Sequence, residues 1–188
     1  RIPFEDYLNF FTKQRSIRSY QDIPVENEKV EYLIKAAMSA PSACNTQPWE
    51  FIVVTDKMML KEIRNQLPMA RYNVPCAIVV CGNTHLCRNT KHMWVQDCSA
   101  ATQNILLAAT AIGLGSLWVG VYGVEPLVKK VEKLMGLPEH VKPLSIVYIG
   151  YPNEVKEPRT QYDEKRIYHD KYDINRKHRA RLKNLKYQ

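Results

Sequence analysis

Glycine is scarce in this chain, with seven residues among 188. None of them builds a GxGxxG turn after a strand, and no GxxxxGK[ST] occurs, so the dinucleotide fingerprint and the phosphate-binding P-loop are both missing. GxSxG and HExxH are absent too, and no close carboxylate pair stands out. These absences exclude the common self-contained hydrolytic and nucleotide sites. Either the chain is not an enzyme, or a cofactor carries the reaction while the protein supplies binding and electrostatics. A phosphate-bearing cofactor would have to be held by side chains.

Long apolar runs are missing as well; none approaches the ~20 residues of a membrane span. The cysteines, at 44, 76, 81, 87 and 98, are odd in number and form no CxxC pair. Cys81, His85, Cys87 and His92 match no common zinc spacing, so the thiols read as reduced and metal-free. With no signal peptide visible, the expected location is cytoplasmic.

What is present is an ordinary globular balance, 45% apolar and 24% charged. The net charge of +8 is concentrated at one end: residues 171–188 hold seven Lys/Arg against Asp173 alone. Residues 1–170 are therefore expected to form one domain, with 171–188 a basic arm of it. Such an arm reads as a solvated segment, and nucleic acid is not an expected partner.

Hydrophobic spacing lays out the elements. Tyr7, Phe10 and Phe11 give a short helix with an aromatic face. Val30, Leu33, Ile34 and Ala37 mark a buried helix face that Pro41 stops. FIVVT (51–55), AIVVCG (77–82), SLWVGVYG (116–123) and LSIVYIGY (144–151) read as strands. Asp56 can cap the helix after the first strand, and Pro126 and Gly136 bracket another. The longest helix, about 93–112, carries little charge and is expected to be buried on several sides, with Ala101 in a subunit seam. Strands interleaved with helices give an α+β or α/β sheet packed by helices.

Three stretches could carry chemistry. RSIR places Arg15 and Arg18 around Ser16, suited to a phosphate dianion or equally to a solvated basic turn. APSACNTQPW sets Ser42, Asn45 and Gln47 between prolines; these groups could meet the polar edge of a planar ring, or simply form Asx-type turns with Trp49 as a core plug. SLWVG offers strand backbone beside a small glycine, where a ring could approach, or is merely a buried strand. Gln96, Asp97, Gln103 and Asn104 on the long helix read as groups that cap loops or line a helix seam.

RSIRSY, APSACNTQPWEF, DCSAATQNILLAATAIGLGSLWVG and GYPNEVKEPR, in this order over about residues 9–170, resemble the nitroreductase family of FMN-dependent oxidoreductases. The resemblance implies an α+β fold with a central mixed sheet of four to five strands, and a homodimer with a long buried central helix and two FMN sites at its interface. It implies that Arg15, Ser16, Ile17 and Arg18 hold the FMN phosphate and ribityl chain. Pro41, Ser42, Ala43 and Asn45 would come from the partner subunit to line the ring, with Trp118, Val119 and Gly120 beneath it. The family's further phosphate arginine would fall at Gln161, where this sequence departs from the pattern. Arg159 is the expected substitute, with Lys165 and Arg166 as alternatives.

The implied reaction is ping-pong: NAD(P)H gives a hydride to flavin N5 and leaves, and a small-molecule electron acceptor such as a nitroaromatic or quinone is then reduced. The polar loop 83–93 would tune the acceptor. A flavin-binding protein of the same fold without turnover, and a dehalogenase-like flavin reductase, are the alternatives; the Glu-Tyr-Lys clamp of the latter has no clear match.

Overall fold

The computed structural model describes residues 3–176. The chain divides into two compact units, the first ending at Pro158 and the second beginning at Arg159. Of the basic arm expected at 171–188, residues 177–188 lie outside the described part.

The first unit is built on four strands, β1 (Trp49–Val54), β2 (Cys76–Asn83), β3 (Gly115–Gly120) and β4 (Val141–Gly150). Their order is β1-β2-β4-β3, and every pair is antiparallel. The parallel component of the sheet is an isolated bridge between Ser16 and Ser116. Period-two alternation sends β2 and β4 side chains to opposite faces, and each face has its own core. Ile78, Val80, Val147 and Ile149 pack under α2 (Asn27–Met38) and α4 (Trp94–Ala111). Ala77, Val79, Ile146 and Tyr148 pack under α3 (Lys57–Gln66) and α5 (Glu125–Met135).

Local signals account for the helix ends. Asp56 accepts from the Met59 N–H at 2.8 Å and caps α3. Pro126 lies in the first turn of α5, and Gly136 ends it at φ +65°, where a Cβ would be strained. Trp49 is buried at the start of β1, as its reading as a core plug requires.

Two helices depart from what composition alone conveys. In α4, Ala101 is fully buried within its own chain, so it cannot line a subunit seam. The amphipathic α1 (Phe4–Lys13) buries no residue, and Phe4, Tyr7, Leu8 and Phe11 are exposed. Among the described residues no helix is long and apolar enough to cross a membrane, and no cluster of His, Cys, Asp or Glu could hold a metal. In the second unit, Asp163 caps a 3-10 turn, Glu164–Arg166. The Arg176 guanidinium there lies over the Tyr168 ring at 4.4 Å and donates to the Ile167 carbonyl at 2.6 Å.

Candidate functional site

β3 is an edge strand, and an edge must be covered or left open. At its start it is covered: the Ile17 N–H donates to the Ser116 carbonyl at 2.9 Å. Ile17 is buried there against Gly115, where an added Cβ would meet its side chain at 3.0 Å. Ser116 therefore turns its backbone groups off the edge, and by alternation Trp118 and Gly120 do the same. Among the described residues no hydrogen bond from outside the sheet reaches those two. Gly120 is exposed, and nothing lies within 4 Å of a Cβ built on it. Trp118 is half-buried on the α4 face, while the Val119 side chain is buried on the other.

The segment 15–19 runs beside this edge and is fastened by the chain that follows β4. Glu154 Oε1 accepts from the Arg18 N–H and, at 3.2 Å, from the Ser19 N–H. Lys156 Nζ donates to the Ser16 carbonyl at 2.7 Å and pairs with Glu154 at 3.7 Å. Arg15 Nη1 donates to the Glu157 carbonyl. Arg15 and Arg18 are half-buried residues, and among the described residues no carboxylate stands within ion-pair distance of either guanidinium. Glu154 is held below its ordinary carboxylate value. Burial alone would raise it, but the Arg18 N–H, the Lys156 charge and the Ser19 N–H outweigh that effect.

The stretch 41–47 is a compact knot. Cys44, Asn45 and Gln47 have φ of 51°, 53° and 47°, left-handed values that are uncommon for residues other than glycine and asparagine. Ser42 Oγ accepts from the Gln47 N–H at 3.0 Å, and Gln47 Nε2 donates to Asn45 Oδ1 at 2.9 Å. The amide and hydroxyl groups expected to read a ring edge are thus partly engaged with one another. Pro41 and Asn45 are exposed, and Ser42 and Ala43 half-buried. Asp97 in the first turn of α4 accepts from the Ala43 N–H at 2.9 Å, and Asn104 donates to the Ala36 carbonyl at 2.9 Å. Asp97 thus caps a loop, and Asn104 lines the seam between α4 and α2, the two roles read for these polar groups.

The structure therefore brings Arg15, Ser16, Ile17 and Arg18 to the β3 edge that carries Trp118, Val119 and Gly120. It holds Pro41, Ser42, Ala43 and Asn45 apart, against α4, and among the described residues no hydrogen bond joins the two groups. Arg159, Lys165 and Arg166 belong to the second unit. Glu154 and Lys156 were given no role by the sequence, although GYPNEVKEPR contains both. Their partners are about 140 residues away, and no local pattern carries that information.

The sequence pattern of the Nitroreductase family matches residues 12–73 and 70–151. A relative from Archaeoglobus fulgidus named "Putative NADH dehydrogenase/NAD(P)H nitroreductase" is 44% identical, covering 89% of this chain and 99% of its own. A crystal structure of a Parabacteroides distasonis protein with the same name superposes with a TM-score of 0.84 at 41% identity, covering 89% and 99%. An FMN-dependent nitroreductase from Clostridium difficile R20291 superposes with a TM-score of 0.80 at 31% identity, covering 88% and 99%. The fold, the order of the motifs and these similarities agree: the chain belongs to the nitroreductase family.

Proposed function

We propose that this chain is an FMN-dependent NAD(P)H oxidoreductase that acts as a homodimer on small acceptors such as nitroaromatics and quinones. The observation that carries the reading is the pair Arg15 and Arg18, with no carboxylate within ion-pair distance among the described residues, on the segment that bridges to the start of the partly open β3 edge. That arrangement fits FMN, since two arginine forks suit a phosphate dianion and an exposed glycine beside unpaired strand backbone leaves room for a flat ring. FMN, when bound, supplies two-electron chemistry between NAD(P)H and an acceptor.

The protein's own part is to bind and orient. Arg15 and Arg18 neutralise the phosphate, and Glu154 and Lys156 fix the backbone that carries them. Trp118 and Gly120 present backbone N–H and C=O groups toward the ring, which can steady its polar atoms. The knot 41–47 sits apart from the phosphate grip in its own chain and is read as the wall offered to a second subunit. The exposed apolar side chains of α1 fit burial against such a copy. The loop 83–93, pinned where Thr84 donates to the His140 carbonyl at 2.8 Å, is read as the part that tunes acceptor choice.

Anaerobic reduction tests this reading. Purified protein loaded with FMN should bleach with NADH or NADPH and regain its yellow colour when a quinone or nitroaromatic is added. Protein that takes up no FMN overturns the site. Bound FMN that neither donor bleaches overturns the enzyme and leaves a flavin-binding protein.

A further inference from the structure

We propose that Asp97 is the positioning residue of the 41–47 wall: through its hydrogen bond to the Ala43 N–H, the first turn of α4 fixes the backbone that meets FMN, so that FMN affinity depends on this bond. The inference rests on the reading of 41–47 as part of an FMN site.

Asp97 is the one charged residue among the buried side chains described, at 5% exposure. No Lys, Arg or His pairs with it among the described residues. Its neighbours are thiols: burial, and then the Asp97 charge, push Cys98 and Cys87 upward. Oδ1 accepts from the Ala43 N–H at 2.9 Å, while Oδ2 is buried without a partner. A buried carboxylate with no cation and one unpartnered oxygen is costly, and packing alone does not account for it.

The wall explains what it does. Other hydrogen bonds within 42–47 tie the knot to itself: Asn45 N–H to Ser42 O, Thr46 N–H to Ala43 O, Gln47 N–H to Ser42 Oγ and Gln47 Nε2 to Asn45 Oδ1. Among the described residues, the bond from Ala43 to Asp97 is the one that fastens residues 41–47 to the rest of the chain. It acts next to Cys44, whose left-handed backbone is costly for a residue other than glycine or asparagine. Without that anchor, the knot can relax toward ordinary backbone angles and no longer presents one fixed surface to the cofactor.

Flavin-fluorescence titration of the full-length apo-protein with FMN, paired with visible absorption spectra of the bound flavin, tests the assignment. Asp97→Ala should weaken FMN about tenfold or more and shift the flavin bands, because a charge-assisted bond is lost. Asp97→Asn keeps both the shape and a carbonyl acceptor and should stay within about threefold of the parent. Asp97→Leu keeps the volume without an acceptor and should weaken FMN as Asp97→Ala does, which a purely space-filling role would not. Ala43→Pro removes the donor instead, at a site where Ser42 is already extended (φ −140°, ψ 152°), as a residue before proline must be. It should weaken FMN to a similar degree and add nothing to Asp97→Ala in the double variant.

A folded Asp97→Ala protein with FMN affinity within about threefold of the parent overturns the proposal, as do additive effects in the double variant. If Asp97→Ala does not fold, Ala43→Pro decides, and unchanged affinity there overturns it. A parent protein that takes up no FMN removes the site reading and this proposal together. A parent that binds, with variants that bind equally well, removes this proposal alone.

Discussion

The segment 15–19 and the knot 41–47 are held in opposite ways. The first is extended and fastened from both sides, by Ser116 on β3 and by Glu154, Lys156 and Glu157 after β4. The second is left-handed at three residues, bonded mostly to itself, and tied to the fold at Ala43. A grip for a phosphate gains from rigidity built into its own sheet, because charged donors bind best when they need no rearrangement. A surface offered to a site on another chain gains from being a self-contained knot on a single anchor. The two also share a support, since α4 carries Asp97 and packs on the sheet that carries β3.

The largest expected effect removes that shared support. Ala101 is fully buried on the inner face of α4, so Ala101→Glu places an unpaired carboxylate in the core, a cost of roughly 3–5 kcal/mol. Against a stability of about 5–15 kcal/mol, much of the protein should be unfolded, and both regions should fail together. Circular dichroism melting checks this. A variant that melts like the parent but binds no FMN would mean that Ala101 bears on the site without supporting the fold.

The comparison sharpens when one region is changed alone. Arg18→Ala should lower FMN affinity by about one to two decades, from the loss of a charge-assisted contact of roughly 1.5–3 kcal/mol. Melting of the apo-protein should hardly change, because the Arg18 backbone N–H, not its guanidinium, makes the bond to Glu154. Unchanged affinity in both Arg18→Ala and Arg15→Ala would leave RSIR as a segment of the sheet edge with no part in holding the cofactor.

The sequence conveyed these regions unequally. Elements with local signals were legible: Asp56 before α3, Pro126 and Gly136 around α5, the apolar spacing of α2. Strand extents were less so, because Lys142 and Pro143 break the apolar run near the start of β4. Low charge in α4 said that the helix is covered but not by which chain; at Ala101 the cover is its own. The knot was legible as unusual, yet ACNTQ contains no glycine to announce left-handed backbone, and only Asn45 is a residue that tolerates it readily. The fastening of 15–19 was invisible, since it joins residues far apart in the chain.

Acid should loosen the fastened segment through Glu154. Glu154 has a folded value below its ordinary 4.5, so its contribution is present above that value and is lost as pH falls through the lower, folded one. Urea unfolding of the apo-protein at pH 7 and below pH 4.5 should show a stability loss, part of which disappears in Glu154→Gln. FMN affinity should fall a few-fold over the same window. An acid response identical in parent and variant would mean that Glu154 does not couple the segment to pH.

The smallest effect tests how far the phosphate grip extends along the chain. Arg15 donates to the carbonyl of Glu157, and Arg159 follows two residues later as the first residue of the second unit. The family resemblance places a phosphate arginine at 161, where this chain has Gln161. If Arg159 substitutes, its exposed guanidinium works against solvent screening, so Arg159→Ala should weaken FMN only about threefold. Gln161→Arg should recover that loss in the same background, and raising the salt concentration should shrink both differences, since an exposed charge is screened more than the half-buried Arg18. FMN titrations of the single and double variants at two salt concentrations measure this. Should Arg159→Ala leave the affinity untouched while Lys165→Ala or Arg166→Ala lowers it, the contact lies further along the second unit. Should none of the three matter, Arg15 and Arg18 form the whole cationic grip, and the contrast with the knot is confined to the first unit.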